Sequence, residues 1–419
     1  TNKNFQVDLN ELSQDLGNNL DWVQGAGGNT SYKNDKNLWV KASGYWLSDA
    51  TKKNIFSQLD RKILIELIDQ GIEDLQPAQI INENQKKLRP SIETSMHALM
   101  HHSFVAHVHS TNVISYATLV NGKELLQEKL GDINWLFVPY VRPGLPLTKL
   151  LKSLNASSFD VLILENHGVV VGSDSKDGVI NLLLDIEKKL FRPLRIVPAL
   201  NEKKKLKDII KKTKYKLPKY DFCHSLAWDQ FSLNALNKNP LYPDHIIFLG
   251  PGAVPILSEE DFINKLSFLS RELNYKIIII KDLGIIVRQD LSANAEEMLH
   301  CLTNVLLKFE KYNQLKHLSG QKVPFDGQSD AMIIHRDDVV KAIELAINKK
   351  LSGLYNLFNE VKITKSEFFA SVCDQEKLDH VEWLNLSPGP KNVSNQKIKD
   401  AGLDFLDPDA KLDTIDLLN

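Results

Sequence analysis

The chain has 419 residues, 43% of them hydrophobic, and a formal net charge of −2, which allows two or three domains with well-buried cores. Acidic and basic residues are mixed along the sequence, so the charge pattern does not favour a nucleic acid or an anionic membrane as a partner. No apolar run is long enough to span a bilayer, and the first residues lack the basic and then apolar pattern of a secretory signal, so we expect a cytoplasmic protein.

A glycine-rich segment, Gly25 to Ser31, is the first motif along the chain. Its amide hydrogens can point at an anion, and hydroxyl and amide side chains stand beside them. Its spacing differs from the G-x-G-x-x-G dinucleotide fingerprint, and it precedes the apolar strand 38–40 instead of following one. The segment therefore predicts either an anion site or a tight turn whose polar groups are satisfied internally.

The next motif is Pro90-Ser91-Ile92-Glu93. Ser91 is a candidate helix N-cap, and Glu93 would then lie in the first turn, where an acidic side chain suits the helix dipole. A carboxylate can also carry a proton to and from a substrate that a nearby metal holds. The pattern is compatible with both roles of Glu93 at once.

Three histidines lie at the ends of two predicted buried strands. Residues 103–109 form the first, in which His107 and His109 share one face because alternate side chains of a strand point the same way. The second apolar run, 159–166, is followed by His167. Buried imidazoles are costly unless they are hydrogen-bonded or bound to a metal. Three imidazoles on one divalent ion leave a coordination position open for substrate or water, which is typical of a catalytic site.

In their order along the chain, these motifs resemble the class II aldolase/adducin family over about residues 5–200. The resemblance depends on five motifs together, which are more specific than any one of them. They are Gly27-Gly28-Asn29-Thr30-Ser31, Lys41-Ala42-Ser43-Gly44, Pro90-Ser91-Ile92-Glu93 with His97 one helical turn later, His107-Val108-His109, and Asn166-His167-Gly168.

The resemblance implies a role for each candidate residue. His107, His109 and His167 would bind zinc or another divalent metal such as Mn, Co or Mg. Glu93 would be the acid/base that moves a proton at the carbon next to a carbonyl. The residues that would hold the phosphate of a sugar phosphate are Gly28, Asn29, Ser43, Gly44 and Ser91.

The predicted function is therefore a metal-dependent aldehyde-lyase that cleaves a sugar or sugar phosphate by a retro-aldol reaction. Such cleavage generates an enediolate, whose charge a chelated metal stabilises as a Lewis acid. An epimerase or decarboxylase of the same family would use the same metal and enediolate. A non-catalytic scaffold, as in adducin, is the alternative from another class. The family resemblance also implies a homo-oligomer, commonly a tetramer.

Two departures from the phosphosugar aldolases bear on the substrate. Ile92 stands where those enzymes often have a second serine, so one hydroxyl donor is missing. The short interval from Glu93 to His107 and the Ser-Ile-Glu-Thr sequence resemble instead the larger rhamnulose-phosphate aldolase/dehydrogenase group. The natural substrate, and the second proton donor, stay open.

The fold class we expect is α/β: an α/β/α first domain over 1–200 with the metal in a cleft at the strand ends, then a middle region over 201–325. The middle region begins with a lysine-rich connector and continues as a strand–helix segment. Residues 277–287 resemble 161–171 as a possible partial repeat, with Leu283 where His167 stands. Residues 245–252 are expected to form another strand of this repeat.

The last segment, 326–419, resembles the C-terminal part of extended short-chain dehydrogenases and epimerases, and we expect a small α/β domain. Thr364 and Glu367 form a capping-box pattern. No glycine fingerprint follows any strand, so we expect no dinucleotide binding. An oxidoreductase that relied on this segment would bind a nicotinamide cofactor. The widely spaced cysteines Cys223, Cys301 and Cys373 fit a reducing compartment and structural roles.

Overall fold

The computed structural model groups the chain into two compact units, residues 1–318 and 319–419. It describes residues 4–81, 88–197, 202–211, 213–250, 252–268, 275–318, 336–350 and five single positions further on, Thr364, Glu367, Ala370, Lys399 and Asp400. The first unit contains both of the sheets described below. The predicted division of this unit near residue 200 stays a prediction.

The first sheet has seven strands in the order β3-β2-β1-β4-β7-β6-β5. All neighbouring strands are antiparallel except β5 and β6, which run parallel. The strands are β1 (Asn29–Lys33), β2 (Asn37–Lys41), β3 (Phe56–Asp60), β4 (Phe104–Val108), β5 (Trp135–Val138), β6 (Val161–Leu164) and β7 (Gly168–Ser173).

Helices cover both faces of this sheet, because its central strands are apolar on both sides. The helices of this part of the chain are α1 (Phe5–Gly17), α2 (Arg61–Asp69), α3 (Thr94–Leu99), α4 (Thr111–Ala117), α5 (Gly122–Lys129), α6 (Leu145–Ser153) and α7 (Lys176–Lys189). Side chains of α1, α4, α5 and α7 pack on one face in a core that includes Ala106 and Val108. Side chains of α3 and α6 pack on the other face with Val105 and Val170. The mixed α/β fold and the helix-covered sheet are confirmed.

The turn between β6 and β7 depends on two special positions. Asn166 adopts a left-handed conformation with φ 52°, which asparagine tolerates better than most residues. A Cβ atom on Gly168 would lie 2.5 Å from the carbonyl oxygen of Val108, so only glycine allows β7 to approach β4 so closely. The result places His167 at the strand end beside β4.

The middle region forms a second sheet of four strands in the order β8-β11-β10-β9. Its core strand pair, β10 and β11, is an isoleucine-rich antiparallel hairpin. The strands are β8 (Tyr215–Lys216), β9 (Ile256–Leu257), β10 (Ile277–Ile280) and β11 (Gly284–Arg288), and the helices are α8 (Lys203–Ile210), α9 (Gln230–Leu236), α10 (Glu259–Phe268) and α11 (Ala293–Lys308). The lysine-rich connector is α8, which buries Leu206 and Ile210.

The strand that we expected at 245–252 is wrong. Residues His245–Leu249 form a helical turn, in which His245 and Leu249 are buried while Ile247 is 63% exposed. That burial spacing of four residues belongs to a helical segment that covers one side of a core, whereas a strand would bury every second side chain. The parallel neighbour of β10 is instead the short strand β9.

The two hairpins that suggested a repeat have the same local geometry. Asn166 and Asp282 both have left-handed φ angles, 52° and 56°, and each hairpin closes on a glycine at the start of its second strand. Each is flanked by a parallel strand and followed by a helix with a serine N-cap, Ser175 or Ser292. The partial repeat remains a proposal that this likeness supports.

In the second unit, the structure describes α12 (Arg336–Asn348) and the capping box. The amide of Thr364 donates to the carboxylate of Glu367, and the amide of Glu367 donates to the hydroxyl of Thr364. The predicted dehydrogenase-like α/β domain, and Cys373, otherwise lie outside the described residues. None of the described helices has the length and apolar composition needed to cross a bilayer.

We expect a buried histidine, His224, to make the second sheet sensitive to acid. His224 Nδ1 accepts the amide hydrogen of Ile285 at 3.0 Å, and burial lowers the pKa of His224 to about 4. Because the unfolded chain binds this proton near pH ~6.5, the stability that neutral His224 provides is present above that pH and is lost as the pH falls through about 4.

We therefore expect His224→Gln, which keeps an acceptor but does not titrate, to flatten the fall in the free energy of unfolding between about pH 6.5 and 4. Urea unfolding at several pH values measures this slope. The exposed His101→Gln is the control and should leave the slope unchanged. Parallel profiles for wild type and His224→Gln would contradict the prediction.

Candidate metal centre

The three predicted metal ligands lie together at one end of the first sheet. His107 lies on β4, His109 directly follows that strand, and His167 lies in the β6–β7 turn. One ring nitrogen of each lies within 4.8 Å of the others, and all three side chains are buried. Val108 packs behind them in the core. The structure thus brings together the three histidines that the sequence singles out.

The nitrogens that face each other suit a metal. His107 Nδ1 lies 3.0 Å from the carbonyl oxygen of Val169, and a carbonyl can only accept, so the hydrogen is on Nδ1 and the lone pair is on Nε2. This Nε2 lies 3.1 Å from His109 Nε2. Two imidazole ligands at ordinary zinc distances on a tetrahedral ion lie about 3.3 Å apart. The donor set therefore fits a divalent transition metal.

Glu93 faces the same point. Its Oε1 lies 3.5 Å from His107 Nε2 and 3.7 Å from His167 Nε2. This oxygen is buried and has no hydrogen-bond partner among the described residues. Burial of a carboxylate oxygen without a hydrogen-bond donor lowers the stability of the fold. A cation bound beside Glu93 Oε1 would compensate for the missing donor, so this oxygen also fits a metal site.

A chain of hydrogen bonds holds the other oxygen of Glu93. Asn29 Nδ2 donates to Glu93 Oε2 at 2.8 Å, and Asn29 Oδ1 contacts His97 Nε2. His97 Nδ1 lies 2.7 Å from the hydroxyl of Ser31, which completes a consistent direction of donation from Ser31 through His97 to Asn29. Asn29 can reach Glu93 because it is the register partner of His107 across β1 and β4.

The electrostatics keep Glu93 ionised. Burial alone would raise the pKa of its carboxyl group, but His107, His167 and the amide of Asn29 outweigh burial and lower the pKa to about 2. At neutral pH the group is therefore a carboxylate that can accept a proton or a cation.

The histidines are in unequal environments. Burial lowers the pKa of His107 to about 3, against the opposing effect of Glu93, and burial also lowers the pKa of His167. For His109, burial would lower the pKa, but Asp244 more than compensates and raises it. His107 is thus neutral at physiological pH, as a metal ligand must be.

The predicted substrate-binding residues lie around this centre in two groups. Gly28, Asn29 and Ser91 are buried, and the Ser91 hydroxyl accepts from the amide of Glu93 at 3.2 Å. Ser43 and Gly44 are exposed, and Gly44 has φ 80° with open space where a side chain would be. The Ser43 hydroxyl and Pro90 carbonyl join the two loops at 3.3 Å.

Two local expectations are wrong. Ser91 does not cap the helix, because α3 begins at Thr94 and Glu93 occupies the N-cap position. The amides of Gly25 and Ala26 are not free for an anion, because they donate to Glu297 at 2.6 Å and to Asn294 at 3.0 Å. Both acceptors belong to α11, more than 260 residues away, so the local sequence of the glycine segment carries no sign of them.

Sequence reasoning also missed two charged residues of the site. Asp244 Oδ2 lies 2.9 Å from His109 Nδ1, although the N–H is not aligned on that oxygen as in a well-formed hydrogen bond. Lys41 is buried and donates to the carbonyls of Ala26 and Tyr45 at 2.7 Å each. Burial lowers its pKa to about 8, while Glu93 and Asp244 oppose that shift. The only sequence signal was the place of Lys41 in a family motif.

A second histidine group lies at the opposite end of β4. His102 Nε2 contacts Asp160 Oδ1 at 2.8 Å, the rings of His101 and His102 are tilted by 35° with centroids 3.7 Å apart, and ligand atoms of these three residues lie within 4.8 Å of one another. His101 is exposed, and its Nδ1 contacts the carbonyl oxygen of Ser157. This geometry suits convergence on one ion less well than the T-shaped pairs that His107 makes with His109 and His167.

Residues 7–189 match the family described as Class II Aldolase and Adducin N-terminal domain, so this segment is a domain of that family. A curated relative, the "Uncharacterized oxidoreductase YuxG" of Bacillus subtilis (strain 168), is 32% identical over 168 residues, which cover 36% of this chain and 24% of that protein. The chain thus spans about a quarter of the length of this relative.

Two solved structures are each similar to a little under half of the chain. The N-terminal class II aldolase domain of a conserved protein from Thermoplasma acidophilum is 23% identical, with a TM-score of 0.38 and coverage of 44% of this chain and 90% of that one. An aldolase II superfamily protein from Pseudomonas syringae is 15% identical, with a TM-score of 0.34 and coverage of 45% and 75%.

The three-histidine site makes a direct prediction about metal content. We expect purified wild type to hold about one divalent transition metal per chain, and the double variant His107→Ala/His109→Ala to hold none, because two of three ligands are gone. Elemental analysis of dialysed protein measures this.

The matched control is His101→Ala/His102→Ala, which removes two histidines from the other end of the same strand. It should retain the metal. Equal metal content in wild type and in the His107→Ala/His109→Ala variant would contradict the prediction.

Proposed function

We propose that the first domain is a metal-dependent aldehyde-lyase that cleaves a carbon–carbon bond of a sugar or sugar phosphate by a retro-aldol reaction. The observation that carries this proposal is the position of Glu93 Oε1, which has no donor among the described residues and lies 3.5 and 3.7 Å from the ring nitrogens of His107 and His167. A scaffold has no need for such an arrangement, since an unpaired buried carboxylate oxygen only costs stability.

We assign His107, His109 and His167 as the residues that would hold a zinc ion or another divalent metal. A metal bound there supplies a Lewis acid that stabilises negative charge developing on the carbonyl and hydroxyl oxygens of the substrate. Burial lowers the pKa of His107 and of His167 and so favours their neutral forms, and ring nitrogens of all three histidines lie close together, which is the contribution that this chain makes to metal binding.

Glu93 is the proton carrier in this proposal. In the condensation direction the carboxylate takes a proton from the carbon next to the carbonyl. In the cleavage direction the substrate hydroxyl loses its proton as the carbon–carbon bond breaks, and Glu93, in its protonated form, gives a proton to the enediolate carbon and becomes a carboxylate again. Asn29 fixes the other carboxylate oxygen at 2.8 Å, so the free oxygen is aimed at the reacting carbon without a search among rotamers.

We divide the predicted substrate-binding residues into a buried group and an exposed group. The buried group is Gly28, Asn29 and Ser91, and the exposed group is Ser43 and Gly44. The side chains of Asn29 and Ser91 contact Glu93, so they position the proton carrier. The exposed Ser43 and Gly44 lie on an open loop. There the Ser43 hydroxyl would exchange its 3.3 Å contact with the Pro90 carbonyl for an anionic group of the substrate, beside the backbone of Gly44. The exposed side chain of Ile92, 67% accessible, adds an apolar neighbour in place of a hydroxyl.

The finer assignments follow from this proposal. The substrate is a small sugar or sugar phosphate, the metal is zinc or a similar divalent ion, and the protein forms a homo-oligomer, commonly a tetramer in the family. None of these roles requires a nucleic acid, a membrane or a nicotinamide cofactor.

The test is a screen of sugars and sugar phosphates with metal-loaded protein, with aldehyde formation followed by a coupled reductase. We expect Glu93→Gln to retain the metal but to lower kcat by about 10²- to 10⁴-fold, because the amide cannot carry the proton. Glu296→Gln, which alters a buried carboxylate paired with Lys216 in the second sheet region, is the control and should keep wild-type turnover.

Four results would count against this proposal. Carbon dioxide release without aldehyde would identify a decarboxylase, and interconversion of epimers would identify an epimerase. Full turnover by Glu93→Gln would remove Glu93 from the chemistry. Failure of the wild type to bind any divalent metal would favour a scaffold.

A further inference from the structure

We propose that Asp244, which lies outside the matched family segment, positions His109 as a ligand and makes the second sheet region part of the metal centre. This inference rests on the proposed metal-dependent function. It concerns a residue that belongs to none of the motifs in the first 200 residues and whose contact with the site arises only from folding.

The contact determines which nitrogen of His109 faces the metal. Asp244 Oδ2 lies 2.9 Å from His109 Nδ1, while His109 Nε2 points toward His107 at 3.1 Å. A carboxylate beside Nδ1 favours a hydrogen on that nitrogen and leaves the lone pair on Nε2. Without it, the ring could place its hydrogen on Nε2, which would block the coordination direction.

Asp244 does not take the place of a ligand. It approaches the ring nitrogen that faces away from His107, so its carboxylate acts through His109. A metal-bound histidine commonly gives its second N–H to a carboxylate or carbonyl, which fixes the ring and strengthens the ligand. His107 has such a partner in the carbonyl of Val169. In our proposal Asp244 is the corresponding partner for His109, at 2.9 Å, once a bound metal orients the ring.

The surrounding structure holds the Asp244 segment against the centre. Asn166, next to His167, donates from Nδ2 to the carbonyl of Leu241 at 2.7 Å and to the carbonyl of Lys316 at 2.6 Å. Tyr242 is fully buried in the second core. The segment that carries Asp244 is therefore tied to the same turn that presents His167.

Gly27 leaves room for this contact. A Cβ atom at position 27 would lie 3.1 Å from both Asp244 Oδ2 and His109 Nδ1, which is closer than most real Cβ contacts. The nearest atom to such a Cβ is the carbonyl oxygen of Gln24 at 2.9 Å, so Gly27 serves both the local turn and the approach of the Asp244 carboxylate to His109.

The experiment compares the metal affinity of wild type, Asp244→Ala and Asp244→Asn, each stripped of metal and titrated with zinc against a chromophoric chelator. We expect Asp244→Ala to raise Kd about 10- to 100-fold and Asp244→Asn to raise it less, because an amide oxygen can still accept from Nδ1. Cobalt-loaded protein should show a changed visible absorption spectrum in Asp244→Ala, since the geometry of one ligand has changed.

The matched control is Asp160→Asn, which alters the other close histidine–aspartate pair, at 2.8 Å, away from the centre. It should bind zinc as tightly as wild type. Asp244→Asn retains the size of the side chain and keeps the test decisive if Asp244→Ala does not fold.

The outcomes separate the two proposals. Wild-type Kd and an unchanged cobalt spectrum in folded Asp244 variants would overturn the role of Asp244 while leaving the metal centre intact. Failure of wild type itself to bind zinc or cobalt would overturn the metal centre, and the role of Asp244 with it.

Discussion

The pairing of β4 with β1 and β7 is the constraint on which the site depends. The register places Asn29 opposite His107 on one side and Val170 opposite it on the other. The imidazole of His107, which we propose as a metal ligand, therefore lies opposite Asn29 on the adjacent strand, and the amide of Asn29 holds Glu93. A slip of one residue would turn every side chain of β4 to the other face, so the buried valines beside His107 protect the register as well as the core.

The region after residue 200 also contributes contacts that hold the site. Helix α11 supplies the acceptors for the amides of Gly25 and Ala26, and the segment before the helical turn at 245–249 supplies Asp244. Side chains of α11 thus bind the first residues of the glycine segment, and its last residues, from Asn29 on, belong to β1. Stability and site geometry here depend on the same few polar contacts.

The sequence was informative where a local pattern determines the structure. Runs of small and apolar residues identified β4 and β6, and alternation along the first run placed His107 and His109 on one face. The order of motifs identified the family of the first domain. The sequence was not informative where contacts between distant parts of the chain determine the local conformation or the composition of the site. The apolar run at 245–249 became helical because its neighbours required one buried side, and no pattern near Asp244 indicates a histidine more than 130 residues earlier in the chain.

The interlocking of the two sheet regions has a consequence for dissecting the protein. Ile114 and Leu119 belong to the first 200 residues but are buried in the core built by α11 and the second sheet, and Leu119 forms a bridge with Leu315. A fragment that ended near residue 200 would expose these apolar side chains to water and leave the amides of Gly25 and Ala26 without their acceptors. The segment that matches the family, residues 7–189, is therefore shorter than the part of the chain that shares one hydrophobic core. We expect a recombinant fragment with the bounds of the family match to expose part of that core and to aggregate.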